Sequence, residues 1–256
     1  MNNHFDKILP VFILVIIIFG WIIATKFFSI PSYILPSPFD IIESANKIGS
    51  GFWRDFFVTF FESIGGFFLG GITAIFFAII FVHYKFLEIS FLPYAIAMKT
   101  IPVVAIAPLL VIWFGAGILP KIILSALICF FPILISSLKG MKEVDPERVD
   151  LFKSFGASTF QTFIWLRLPN SLPYLFTSFR IAVVFAVIGA VVAEFASANS
   201  GLGFKIMLAS FHVDTPSMFL YIISVSLLSM LLYFLVVFIE YVTVPWSFSL
   251  RNLIND

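Results

Sequence analysis

Three ionisable side chains inside long apolar segments are the first candidates for chemistry in this sequence. They are Lys99, Arg180 and Glu194. An ionisable group is costly at membrane depth, so such residues usually contact one another or a transported ion or solute. We therefore treat all three as candidates for a translocation path or its gate.

Motifs for covalent chemistry or nucleotide binding are missing from the sequence. It contains no Gly-x-x-x-x-Gly-Lys-Ser/Thr loop, no His-Glu-x-x-His and no Gly-x-Ser-x-Gly. Cys129 is the single cysteine, so neither an internal disulfide nor a cysteine metal site is expected. The formal net charge of +1 gives no indication of a nucleic-acid partner. We predict no catalytic activity, metal or cofactor in this chain.

The segments that carry these side chains are predicted membrane spans. Of the 256 residues 61% are hydrophobic and 11% charged, and about 20 apolar residues cross the roughly 30 Å of hydrocarbon. The sequence predicts an all-α membrane protein with about six spans: Ile8 to Phe28, Phe56 to Val82, Leu92 to Phe114, Lys121 to Leu138, Pro173 to Ala196 and Met218 to Val242. The third span contains Pro102 and Pro108, so we expect a kinked helix, with a broken or re-entrant helix as the alternative.

Two further features carry predictions about helix packing and placement. Ser37-Pro38 predicts the start of an amphipathic helix that lies at the membrane interface, with a plain connector between spans as the alternative. Gly66 and Gly70 are spaced for close packing of two helices. With no linker or repeat in the sequence, residues 1–256 read as a single membrane domain with a core of about 56–242.

The orientation follows from the positively charged residues of the loops. Lysines and arginines are more frequent on the side that holds both termini, which predicts cytoplasmic termini and a cytoplasmic loop at about 139–172. Glu194 then lies near the outer surface, either lining a gate or reaching water as an interfacial acid. Arg180 either extends to the inner interface or contacts an anion. Glu240 is expected to be solvated at the cytoplasmic interface.

The cytoplasmic loop is predicted to form two short helices with a sharp turn between them. Asp145-Pro146 begins the first helix, and Gly156 ends it because glycine readily adopts the left-handed conformation. Ser158 and Gln161 form a capping box for the second helix, which should end before Pro169. Several apolar side chains are expected at the surface of this loop: Leu151, Phe152, Phe155, Phe160 and Phe163. An exposed apolar cluster of this kind predicts a partner protein.

The same loop resembles that of a known family. The stretch from Asp150 to Gly156, followed by Leu168-Pro169, resembles the "EAA" loop in the membrane subunits of binding-protein-dependent ABC importers. The family pattern is Glu-Ala-Ala, three residues and Gly, then a helix that ends in Leu-Pro; here Asp150 replaces the Glu, and Leu151-Phe152 the alanines. The resemblance implies that coupling to the ATPase involves Asp150, Leu151, Phe152, Lys153, Gly156, Phe160, Leu168 and Pro169.

Other segments extend this resemblance over nearly the whole chain. They are similar to the nitrate, sulfonate, taurine and pyrimidine-precursor branch of the family. The matching segments are LPSP at 35–38, KTIPVVAIAPLLVIWFGAG at 99–117, VVAEF at 191–195, GLG at 201–203 and the closing Pro245-Trp246.

Membership of this family would imply a type I ABC importer permease fold, also called MetI-like. Such a permease would pair with a second copy of itself in the cell membrane. A cytoplasmic ATPase dimer would bind ATP and Mg, and an extracytoplasmic binding protein would deliver the solute. That solute would be a pyrimidine-type thiamine precursor, with a sulfonate, taurine, nitrate or riboflavin as alternatives. The main alternative function is a stand-alone secondary transporter or channel, which would need a charged relay in mid-membrane.

Overall fold

The computed structural model of the chain describes residues 5–98, 100–197 and 199–246, and these ranges are helical without any strand. Five helices are long and apolar enough to cross a membrane: Leu9–Phe27, Gly51–His83, Leu119–Lys142, Thr159–Ser197 and Thr215–Thr243. The prediction of an all-α, multi-pass membrane protein is therefore confirmed.

The helices follow one another with short connections. In chain order they are α1 (Phe5–Phe27), α2 (Pro38–Lys47), α3 (Gly51–His83), α4 (Lys85–Met98), α5 (Val103–Phe114), α6 (Leu119–Lys142), α7 (Pro146–Ser154), α8 (Thr159–Thr162), α9 (Leu168–Ser197), α10 (Leu202–Phe211) and α11 (Thr215–Thr243). A π-helical segment, Phe163–Arg167, joins α8 to α9.

Two short helices, α4 and α5, replace the predicted third span from Leu92 to Phe114. Helix α4 ends at Met98, and α5 begins at Val103, directly after the extended Pro102. A proline disfavours the helical conformation in the residue before it, which ends a continuous helix at this point. The prediction of a single kinked helix is wrong, and the alternative of a broken helix is correct.

Helix α5 packs against α6, whereas α4 packs against α3 and is joined to α6 by an ion pair. Glu88 at the start of α4 forms an ion pair with Lys142 at the end of α6. On α5, Leu110 packs in one cluster with Leu124, near the start of α6. We call the end of the bundle that carries residues 143–158 the loop end, and the opposite end the far end.

The centre of the bundle is formed by α3, α6 and α9. Gly66 and Gly70 lie on the α3 face that packs against α6, as their spacing predicts. A Cβ at Gly66 would overlap the Ser125 side chain, and one at Gly70 would lie 2.5 Å from the Ala126 carbonyl oxygen. By contrast, only 6% of the apolar window of α1 is buried, so this helix has little contact with the rest of the described chain.

The predicted interfacial helix, α2, is present with the expected cap. The Ser37 amide donates to Asp40 Oδ2 at 2.8 Å, and the Asp40 amide donates to Ser37 Oγ at 3.3 Å. Ile41 is buried, whereas Phe39 and Ile42 are exposed. The exposed apolar side chains fit a helix that lies on the membrane surface.

The predicted helix end before Pro169 is absent, because α8 continues through the π-helical segment into α9. The Leu168 amide bonds to the Phe163 carbonyl five residues back. This wider turn lets the helix pass a proline that has no N–H to donate. The Asn170 side chain donates to the carbonyls of Gly140 and Glu143 at 3.0 Å each, which satisfies the C-terminal end of α6.

Candidate functional site

The loop between α6 and α9 has the local structure that its sequence predicts. Asp145 caps α7 by accepting from the Glu147 amide at 3.0 Å. Gly156 ends the turn after α7 with φ +75°. The Ser158 amide donates to Gln161 Oε1 at 2.8 Å, and the Gln161 amide donates to Ser158 Oγ at 3.2 Å, so the capping box begins α8. Both helix starts and the turn between them are therefore confirmed.

An exposed apolar surface covers this loop. Its most exposed members are Leu151 (54%), Phe155 (81%), Phe160 (69%) and Trp165 (71%). Trp165, missed by the sequence analysis, lines a cavity of about 330 Å³ together with Phe152 and Phe155. Phe163 was wrongly expected to be exposed: it is 9% exposed, because its ring packs 5.1 Å from that of His83 on α3. We call the exposed group of Leu151, Phe155, Phe160 and Trp165 the loop surface.

The base of the loop is attached to two core helices. Arg167 Nη1 donates to the Met141 carbonyl at 3.1 Å. A Cβ at Gly140 would lie 2.9 Å from Tyr174 Cβ, so α6 and α9 are in close contact here. Asp150 pairs with Lys153 at 3.0 Å, and both side chains are exposed. The base of the loop is therefore in direct contact with both α6 and α9.

At the far end, Glu194 is fully buried in the chain. Its Oε1 accepts from Thr59 Oγ1 at 2.7 Å, and its Oε2 accepts from the Gly203 amide at 2.5 Å. The expectation of a carboxylate that reaches water is wrong, because the start of α10 folds over it.

Three consecutive amides at the N-terminal end of α10 are bound by side chains. The Gly201 amide donates to Asp55 Oδ1 at 3.1 Å, and the Leu202 amide donates to Thr59 Oγ1 at 2.8 Å. The third amide, that of Gly203, donates to Glu194 Oε2. The VVAEF and GLG segments therefore form one structure, in which the acid of the first holds the backbone of the second.

The buried Lys121–Glu62 ion pair and the contact of Lys205 with Asp55 extend this group. Lys121 Nζ lies 2.7 Å from Glu62 Oε1, and the two side chains are 7% and 1% exposed. Lys205 lies 3.6 Å from Asp55 Oδ2. We call Asp55, Thr59, Glu62, Lys121 and Glu194 the far-end polar cluster. It holds α3, α6, α9 and the start of α10 together.

Only Glu194 of this cluster was chosen as a site residue from the sequence. A signal for the three members on α3 is present, because Asp55, Thr59, Glu62 and the neighbouring Gly66 follow one another at intervals of three or four residues. This spacing places them on one face of a helix. A polar stripe on an otherwise apolar span indicates a buried polar contact.

Of the two remaining candidates, Arg180 forms a buried ion pair. Its Nε donates to Glu240 Oε2 at 2.6 Å, and Nη2 contacts the same oxygen. Glu240 is fully buried, so the expectation that it is solvated is wrong. The pair joins α9 to α11. Lys99 lies outside the described residues.

The Gly201→Ala variant is expected to destabilise the chain. Gly201 has φ +112°, and a Cβ there would overlap the Glu194 carboxylate. Strain at such a position costs about 1–3 kcal/mol. We expect a lower midpoint of thermal unfolding in detergent. Gly51→Ala is the control, since nothing lies within 4 Å of a Cβ at Gly51. Equal midpoints for the two variants would contradict this structure of the α9–α10 connection.

Comparison with known proteins identifies the family. Residues 66–242 match the profile of the binding-protein-dependent transport system inner membrane component family. The chain is 34% identical to a riboflavin transport system permease protein of Chloroflexus aurantiacus, over 94% of this chain and 90% of that protein. It is 31% identical to a formylaminopyrimidine transport permease protein of Halalkalibacterium halodurans, over 96% of this chain and 98% of that protein. A putative aliphatic sulfonates transport permease protein of Escherichia coli is 29% identical over 88% of this chain and 86% of that protein.

The chain therefore belongs to the inner membrane component family of binding-protein-dependent transport systems. It is an ABC transporter permease, as the resemblance of its loop predicts. Permeases of this family act together with an ATPase and a binding protein. This assignment replaces the alternative of a stand-alone secondary transporter or channel.

Proposed function

We propose that this chain is the membrane subunit of an importer that moves a small solute by ATP-driven alternating access. The observation that carries the proposal is the loop surface, an exposed apolar group on two capped helices whose base is attached to α6 and α9. A contiguous exposed apolar group is typical of a docking site for a partner protein. The partner at this site is a cytoplasmic ATPase dimer, which binds the ATP and Mg that this chain is not expected to hold.

Coupling in this proposal runs from the loop to the core. The ATPase contacts Asp150, Leu151, Phe152, Lys153, Gly156 and Phe160, and Leu168-Pro169 carries its movement into α9. Two copies of the chain form the translocation path between them. An extracytoplasmic binding protein docks at the far end, and both termini are cytoplasmic.

The proposed gate residue Glu194 acts through the backbone that it holds. Its carboxylate binds Gly203 and Thr59, so a change at Glu194 moves the start of α10 relative to α3. The Arg180–Glu240 pair keeps α9 and α11 together while the path opens. Lys99, close in sequence to the break between α4 and α5, remains a proposed path residue.

The proposed solute is a small nitrogen heterocycle of the pyrimidine-precursor or riboflavin type. Two relatives that align with 90% or more of their length are named for riboflavin and for formylaminopyrimidine. Sulfonates, taurine and nitrate are the alternatives, and the relative named for aliphatic sulfonates supports the first of them.

Cysteine labelling tests the orientation on which this proposal depends. Because Cys129 is the single cysteine of the sequence, Cys129→Ala provides a background without thiols. Cys129 is buried and donates to the Ala182 carbonyl at 3.1 Å. In that background, we expect Ser154→Cys to react with an impermeant maleimide only after the cells are opened. Glu43→Cys on α2 is the control and should react in intact cells. Reaction of Ser154→Cys in intact cells would contradict the docking of a cytoplasmic ATPase at this loop.

A further inference from the structure

A cavity of about 350 Å³ lies at mid-depth in the bundle, between α5, α6 and α9. Its lining from the middle of α6 includes Leu127, Phe131 and Ser136, and its lining from α9 includes Thr177 and Ile181. Ile101, in the break before α5, and Val103, the first residue of α5, also line it. Its volume is at the lower end of the range of small-molecule sites. It is separate from both the loop surface and the far-end polar cluster.

The lining is apolar except for a few hydroxyl groups. Aliphatic side chains and the rings of Phe131 and Phe185 form most of the wall, and the hydroxyls belong to Ser136, Thr177 and Ser178. None of the described residues that line the cavity is charged. Removing an anion from water into such surroundings is very costly without a cation or several donors. The cavity is therefore unsuited to a sulfonate or to nitrate.

The cavity also has polar atoms that a hydrocarbon chain would leave unsatisfied. Pro132 on α6 has no N–H, so the Ile128 carbonyl lacks its usual donor one turn later, and both residues line the cavity. The Ser136 hydroxyl has no hydrogen-bond partner among the described residues. An acceptor and a hydroxyl beside two aromatic rings can bind a flat molecule that carries N–H and ring-nitrogen groups on its edge.

We infer that this cavity is the site where the permease holds its solute during transport, and that the solute is an uncharged nitrogen heterocycle rather than an anion. The inference rests on the proposed function and adds the place and the chemical class of the solute. Phe131 and Phe185 contact the faces of the ring. Ser136 and the Ile128 carbonyl bind its edge.

Uptake into vesicles that contain the permease, its ATPase and its binding protein tests this inference. The probes are radiolabelled riboflavin, formylaminopyrimidine and taurine. We expect uptake of one heterocycle and none of taurine. Ile181→Trp should lower that uptake about tenfold or more, because the larger side chain fills the cavity. Ile188→Trp is the matched control on α9: these isoleucines are 50% and 47% exposed, and Ile188 does not line the cavity.

Ser136→Ala gives a second variant that does not disturb packing. It should raise the concentration needed for half-maximal uptake severalfold, because the edge of the ring loses one hydrogen bond. Wild-type uptake by both cavity variants, or uptake of taurine alone, would overturn the inference. Measuring ATP hydrolysis distinguishes failure of the cavity assignment from failure of the proposed function. If the complex assembles and hydrolyses ATP but neither heterocycle enters, the cavity assignment fails alone. If no ATPase associates with the chain, the proposed function fails as well.

Discussion

Lys121→Met is expected to lower the stability of the folded permease strongly. The substitution leaves Glu62 buried without its cation, and breaking a buried pair in this way costs about 3–5 kcal/mol. For a chain of this size, the midpoint of thermal unfolding should fall by about 6–20 °C. The measurement is thermal unfolding of the purified chain in detergent, followed by tryptophan fluorescence.

The double variant Glu62→Gln with Lys121→Met should recover much of the loss, because no buried charge then remains at the pair. Lys47→Met is a control with matched geometry. Lys47 and Glu43 are also 2.7 Å apart, but their side chains are 73% and 67% exposed, and an exposed pair contributes little. A single variant Lys121→Met as stable as Lys47→Met would contradict the buried far-end polar cluster.

The Gly156→Val substitution is expected to abolish uptake while the chain still inserts and assembles. Gly156 has φ +75°, and a Cβ there would meet nothing within 4 Å. The cost therefore comes from the backbone alone, and a β-branched residue resists the left-handed conformation most strongly. The turn between α7 and α8 should change, and with it the shape of the loop surface. The measurements are uptake and solute-stimulated ATP hydrolysis in reconstituted vesicles.

Gly156→Asn is the matched control for this variant. Asparagine also adds a side chain to the open space, but it tolerates the left-handed conformation. It should retain most of the uptake. Normal uptake by Gly156→Val at normal abundance would show that the turn does not transmit movement, and equal loss in both variants would show that the side chain rather than the backbone matters.

The loop could be predicted because its structure depends on local rules. Asp145 before Pro146, Gly156 and the Ser158–Gln161 pair each act within a few residues, and all of them appear as expected. The prediction of a helix end before Pro169 was wrong because it used local rules alone. Residues of the π-helical segment contact the core, as the ring of Phe163 does against His83, and no local rule contains such a contact.

The far-end polar cluster could not be predicted from the sequence around Glu194. Its partner Thr59 is 135 residues away, and the Gly203 amide reaches it only because the chain turns at Gly201. A charged residue near the end of a span is predicted to be accessible to water as long as the segment that folds over it, here the start of α10, is unknown. The same holds for Glu240, whose burial depends on Arg180 in another helix.

The most direct test of the central claim is a photocrosslink from the loop surface. A photoreactive phenylalanine analogue is placed at Phe155, which is 81% exposed, and in a control at Phe211 at the far end, which is 76% exposed. After irradiation of membranes, the crosslinked partner is identified by mass spectrometry. We predict that position 155 crosslinks to a chain with a Gly-x-x-x-x-Gly-Lys-Ser/Thr loop, the signature of a nucleotide-binding protein, and that position 211 does not. The account would be contradicted if position 155 captured only lipid or no protein, or if the ATPase were captured from position 211.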